Sequence, residues 1–175
     1  TRQPRVRTED VVIDAGDERV EAYIVGPAAG AARAGVLFLH WLGEHHNDRS
    51  QFLAEARALA REGVRSVLPA GRLPWQVPPH DAVSDVANIE VEVARQAAAL
   101  DRLADGLPEE APIALVGHDF GAMSGTLLLS RRPRISAAVI IAASPRWAEW
   151  FLPFWKIDGD PFDYARALAP LDPIE

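Results

Sequence analysis

Apolar and polar positions along this chain follow two rhythms that take turns. Val36-Leu37-Phe38-Leu39 is a short continuous apolar run, as expected of a strand buried on both faces. Val64 to Leu68 predicts another short buried strand, Ile113-Ala114-Leu115-Val116 a third, and Ile135 to Ala143 the last clear one. Val20 to Val25 alternates instead and stops at Gly26-Pro27, which predicts a strand at or near a sheet edge. Between the runs the period becomes helical. Phe52, Ala56, Leu59 and Ala60 form one stripe. Asp48 and Gln51 stand ahead of it at capping-box spacing, and Gly63 suits a left-handed cap behind it. Val86, Ile89, Val93, Ala97, Leu100 and Leu103 form a second stripe, closed by Gly106 and Pro108. A third helix of small residues, Ala122 to Arg132, ends at Pro133. Gly30 to Gly35 and the proline-rich stretch from Pro69 to Pro79 read as loops. This alternation predicts one α/β domain over residues 1–175, a mostly parallel sheet with helices on both faces.

Composition narrows the function more than the fold. The 175 residues suffice for one domain with a real core. A formal charge of −7 leaves nothing to neutralise phosphates, so no nucleic-acid partner is expected. The absence of cysteine excludes disulfides, thiolate metal sites and a cysteine nucleophile. No apolar run approaches the roughly 18 residues of a membrane span, and Thr1-Arg2-Gln3-Pro4 does not open a secretory signal. The expectation is a cytoplasmic protein without a membrane partner. The chain does not begin with methionine, which points to a trimmed or processed start.

Candidate chemistry concentrates where the third buried run turns into a helix. Gly117-His118-Asp119-Phe120-Gly121 occupies that junction. A turn so tight strains its central residue and requires small neighbours at ±2. Upstream, Phe38-Leu39-His40-Trp41-Leu42-Gly43-Glu44 follows another buried run. The two segments resemble the nucleophile elbow and the oxyanion loop of the α/β-hydrolase superfamily, most closely its dienelactone-hydrolase-like branch. The resemblance extends from about Val20 to the end of the chain. It implies the α/β-hydrolase fold, with C-terminal strands of that fold absent from this sequence, and hydrolase activity.

The superfamily usually has serine or cysteine at the centre of the elbow; this sequence has Asp119. A carboxylate attacking an ester carbonyl forms a high-energy anhydride. One that displaces a leaving group at saturated carbon forms an alkyl ester, which water can then cleave. Haloalkane dehalogenases and epoxide hydrolases have aspartate there, so the resemblance implies C–halogen or epoxide opening through Asp119 on a small apolar substrate. The alternative role for Asp119 is a cap on the following helix. The resemblance also implies an oxyanion hole from backbone N–H groups of Trp41 or Leu42 and of Phe120. Two departures stand out. Phe120 replaces the tryptophan or arginine that follows the nucleophile in those enzymes, and Trp41 replaces the glycine that normally follows the loop histidine.

The superfamily orders its residues as nucleophile, acid, histidine, yet no histidine follows His118 here. His40 is expected to hold the loop and His118 to be structural. His45 and His46 lie where substrate would approach. Glu44, His45, His46 and Asp48 lack the regular spacing of a metal site, and no metal or cofactor is expected. Glu149 and Asp158 follow the last run, where some members place the acid. His80 carries no signal. Trp147, Trp150 and Trp155 fall within nine residues, so the segment 144–162 reads either as an aromatic lid or as a surface patch, with Trp147 and Trp150 candidate pocket residues.

Three readings follow: a hydrolase acting through Asp119, an ester or lactone hydrolase relative without a complete triad, and a non-catalytic small-molecule binding module. Ile135 to Ala143 should also leave an open sheet edge. The chain is therefore expected to be a fragment or to form a homo-oligomer, with a second chain completing the sheet, unless the Trp147 to Phe162 segment covers that edge.

Overall fold

A strand that the apolar pattern does not announce opens the protein. Val6–Ala15 (β1) mixes Arg7, Glu9, Asp10 and Asp14 with its valines and isoleucine, so no clean alternation shows. It forms because Gly16, at φ +67°, and Asp17 close a two-residue turn onto Glu18–Pro27 (β2), with all ten residues of each strand in antiparallel register. A computed structural model describes residues 5–41, 49–72 and 80–173. Beyond the hairpin it contains strands Ala34–Leu39 (β3), Val64–Pro69 (β4), Ile113–His118 (β5) and Ile135–Ile141 (β6). The helices are Leu53–Arg61 (α1), Ala82–Ala104 (α2), Phe120–Arg131 (α3), Trp147–Phe151 (α4) and Pro161–Leu168 (α5).

The six strands form one sheet in the order β1-β2-β4-β3-β5-β6. β2 meets β4 antiparallel, and the β4, β3, β5, β6 half is parallel throughout. β2, expected at or near an edge, is thus second from it. On one face α2 lies across β1 to β4 and α3 lies against β5, burying Ile24, Leu37, Ile89, Leu103, Leu115 and Met123. On the other, α1 covers β2 and β4 and buries Val25, Phe38, Ala56, Ala60 and Leu68.

One expectation needs correction. α1 starts at Leu53 behind Phe52, whose side chain caps nothing, so Gln51 does not take part in a capping box. Its amide is used at the site instead; Asp48 lies outside the described residues. The aromatic segment after β6 forms α4 and α5, the latter started by Asp160, whose carboxylate accepts from the N–H groups of Phe162 and Asp163, with Pro161 in the first turn. These helices pack on each other, and α5 packs on α2. Among the described residues β6 pairs with β5 alone, and its residues from Ser136 to Ile141 are exposed.

Candidate active site

The elbow has the geometry its glycines require. Asp119 sits at φ +53° and ψ −117°, a backbone region that a residue with a side chain occupies only under strain. The surroundings hold it there: its N–H donates to the Ile141 carbonyl at 2.8 Å and its carbonyl accepts from Ala122 and Met123 at 3.0 Å. A Cβ at Gly117 would stand 2.6 Å from the Ala122 Cα. One at Gly121 would stand 2.5 Å from the carbonyl oxygens of Leu39 and His40. Glycine at ±2 is therefore a steric necessity of this turn.

Asp119 holds the position before the first turn of α3, yet its side chain makes no capping bond. The helix-cap alternative is thereby removed. Instead Oδ1 accepts a hydrogen bond from the indole Nε1–H of Trp150, at 2.8 Å. Trp150 is held in turn by Phe120 (6.0 Å between ring centroids), Phe151 (5.4 Å) and Trp155 (5.2 Å). The aromatic segment after β6 thus lies over the elbow. Trp147 is fully buried, with its ring edge-on to Phe120 and its indole N–H donating to the Leu171 carbonyl.

The loop after β3 is tied down by side chains. His40, at the end of β3, accepts the Gly71 N–H on Nε2 at 2.7 Å, so its proton resides on Nδ1 and is donated to the Trp41 carbonyl. Gln51 bridges the loop and the elbow: Oε1 accepts the Trp41 N–H at 2.9 Å and Nε2 donates to His118 Nδ1 at 2.7 Å. The Trp41 ring stacks on the His118 imidazole at 5.4 Å. The Trp41 N–H is thus already engaged by Gln51. Leu42, its alternative as an oxyanion donor, lies outside the described residues with Glu44, His45, His46 and Asp48. Phe120 begins α3, where helix N–H groups point out of the helix end. Among the described residues no group of three or more His, Asp or Glu side chains is placed to hold a metal.

Two buried polar clusters on α2 carried no signal in the apolar pattern. Asp85, 2% exposed, accepts the Tyr164 hydroxyl at 2.7 Å and lies 3.6 Å from His80 Nδ1; the His80 ring stacks on Trp155. Burial first, and then the bond to Asp85, push the Tyr164 phenol well above its ordinary pKa. Two turns further along α2, Glu92 accepts the Arg72 N–H at 2.9 Å and the Gln96 amide at 3.1 Å, with Arg95 Nε 3.4 Å away. Burial pushes the Glu92 carboxyl up to about 7 against the opposing pull of these donors.

No protein-family model and no curated protein matches the sequence. Solved structures do. A Thermus thermophilus protein superposes with a TM-score of 0.65 at 23% identity, over 97% of this chain and 68% of its own. The fold is that of the α/β hydrolases. A dienelactone hydrolase from Anabaena variabilis has the same α/β-hydrolase fold, with a TM-score of 0.55 at 19% identity over 78% of this chain and 62% of its own. An α/β hydrolase from Agrobacterium tumefaciens gives 0.59 at 22% identity, over 78% and 61%. The chain spans about three fifths of the length of these last two. Among the described residues no helix is long and apolar enough to cross a membrane.

Proposed function

We propose that this chain is a hydrolase of the α/β-hydrolase type in which the Asp119 carboxylate is the nucleophile towards a small apolar substrate. The observation that carries this reading is the Trp150 bond: a side chain suited to capping α3 is instead turned to an indole donor at the elbow. That bond engages Oδ1, and Oδ2 is the proposed attacking atom. In the step proposed, the Oδ2–carbon bond forms as the bond from that carbon to a halide or epoxide oxygen breaks. The halide leaves as the anion, or the epoxide oxygen leaves as an alkoxide that takes a proton from water. Water then hydrolyses the resulting ester, returning the carboxylate. Backbone N–H groups of Phe120 and of Leu42 are the proposed oxyanion donors for that second step; His45 and His46 are its candidate bases.

The test is a single turnover in heavy-oxygen water, with mass spectrometry of the peptide carrying Asp119. Label should enter Asp119, and a reactive halide or epoxide should modify it stoichiometrically. Label found only in product, with Asp119→Asn fully active after deamidation has been excluded, would end the reading. Because both ring nitrogens of His40 are engaged and His118 Nδ1 is held by Gln51, turnover should be slow once the ester has formed. A second reading, an ester or lactone hydrolase relative lacking a complete triad, is supported by the dienelactone hydrolase among the structural neighbours. Hydrolysis of an activated ester that survives Asp119→Asn would favour it.

We also propose that a second copy of the chain, or another chain, pairs with β6, because an exposed Ile/Val/Ala strand offers unpaired backbone donors and acceptors. A strictly monomeric protein at high concentration, with rapidly exchanging β6 amides, would refute this.

A further inference from the structure

A column of buried polar groups runs behind the elbow and joins three elements that carry the proposed site. The Arg72 N–H, just after β4, donates to Glu92 Oε2. The Gln96 amide nitrogen donates both to Glu92 Oε1 at 3.1 Å and to the Ser124 hydroxyl oxygen at 2.7 Å. Ser124 in turn donates to the Phe120 carbonyl at 2.9 Å. Glu92, Gln96 and Ser124 are 3%, 2% and 0% exposed. Beside them lies a cavity of about 10 Å³, lined by Leu39, His40, Gly71, Glu92, Gln96 and Phe120 among others. Gln96 Oε1 is buried without a hydrogen-bond partner in the protein.

The proton count of this column admits two arrangements. With Glu92 ionised, both of its oxygens only accept, so Gln96 must present its NH₂ group to Glu92. That NH₂ group also donates to Ser124, and the Ser124 proton is left for the Phe120 carbonyl. With Glu92 protonated, its O–H can donate to Gln96 Oε1 once the amide turns over. Oε1 then also accepts from Ser124, and the Phe120 carbonyl loses that donor. The turned amide places NH₂ where Oε1 had no partner. We infer that Glu92 is a positioning residue for the elbow, acting through Gln96 and Ser124 to decide whether the Phe120 carbonyl is held. This rests on the reading of Asp119 and Phe120 as site residues.

Among the described residues, the charged or titratable groups around Glu92 come from its own helix and from three strand ends. Arg95 lies on α2 itself, Arg72 after β4 and His40 at the end of β3. Glu18, at the start of β2, reaches the cluster through bonds from Arg72 and Arg95. α3 contributes only the neutral Ser124.

The experiment follows backbone amides by NMR from pH 5.5 to 8.5 in the whole chain. The Gly121 nitrogen shares its peptide with the Phe120 carbonyl, and the Arg72 proton touches Glu92 directly. In the wild type both should titrate with one shared midpoint near 7, the value to which burial raises this carboxyl. Glu92→Gln should abolish both titrations. Ser124→Ala should keep the one at Arg72 and lose the one at Gly121. The rate of Asp119 alkylation should rise about fivefold across the same midpoint in the wild type, and stay flat in Ser124→Ala. If Gly121 does not titrate with Arg72, or still titrates in Glu92→Gln or in Ser124→Ala, the relay is wrong. Should Glu92→Gln fail to fold, Ser124→Ala decides alone. Absence of alkylation at every pH alongside an intact amide titration sinks the Asp119 nucleophile and leaves the relay standing.

Discussion

The two edges of the sheet meet water on different terms. β1 carries Arg7, Glu9, Asp10 and Asp14, pairs all ten residues with β2, and is tied to the body by the Arg49 guanidinium on Asp10. α2 packs against its inner face. β6, at the opposite edge, reads Ile-Ser-Ala-Ala-Val-Ile-Ile, has no charged residue and is exposed on both faces. Val12 and Val139 are 55% and 54% exposed, yet one sits among charges and the other among apolar neighbours. Exposure alone does not mark a surface as finished. The chemistry of the neighbours does, because charge at an edge disfavours pairing with another strand.

The largest expected effect breaks this comparison directly. Val139→Lys should abolish self-association through β6, lowering the association constant by more than about tenfold. Val12→Lys, at equal exposure, should leave it unchanged. Sedimentation equilibrium of the two variants beside the wild type measures this; equal behaviour would mean that the edges are equivalent.

The next effect lies under α2, on the covered side. The folded pKa of Glu92 is raised, so the stability its neutral form contributes is complete below the unfolded value of 4.5 and is lost as pH rises through about 7. A shift of this size corresponds to about 3 kcal/mol. Urea unfolding at pH 5 and pH 8 should show that component in the wild type, and Glu92→Gln should remove it. An unchanged pH slope in the variant would place the cost elsewhere.

Tyr164→Phe tests how far the aromatic cover reaches. It leaves the buried Asp85 without its hydroxyl donor, at a cost of about 2 kcal/mol. Hydrogen exchange should quicken in α5, which packs on α2, and in α4, which packs on α5, but not in β6. The smallest effect belongs to the finished edge: Arg49→Ala removes an exposed ion pair with Asp10 and a guanidinium 4.1 Å above the Tyr23 ring, worth below about 1 kcal/mol.

β3, β4 and β5 were legible because they lie inside the sheet with their apolar residues largely buried; β6 gave a similar apolar signal, although the structure leaves it exposed. The elbow was legible because Gly117 and Gly121 are forced by backbone within 2.6 Å. β1 was not, since a strand with charges facing water gives no clean alternation; the Gly16-Asp17 turn ahead of Val20 was the available signal. Glu92, Gln96 and Asp85 escaped for a related reason. They share the inward stripe of α2 with Ile89, so the apolar rhythm hid them while their positions, seven and four residues apart, placed them inside. The Trp150 bond to Asp119 joins residues 31 apart and depends on how α4 folds back, which no local pattern encodes.

That bond also makes the protein its own spectrometer. An indole N–H held on a carboxylate resonates far from one in water, and its ring emits in a field set by that charge. Esterification of Asp119 would remove the charge from the acceptor without moving Trp150. On the proposed mechanism, the indole resonance and the tryptophan emission should therefore shift together when the covalent intermediate forms, and return when it is cleaved. The proposed reaction would then be timed without a chromogenic substrate.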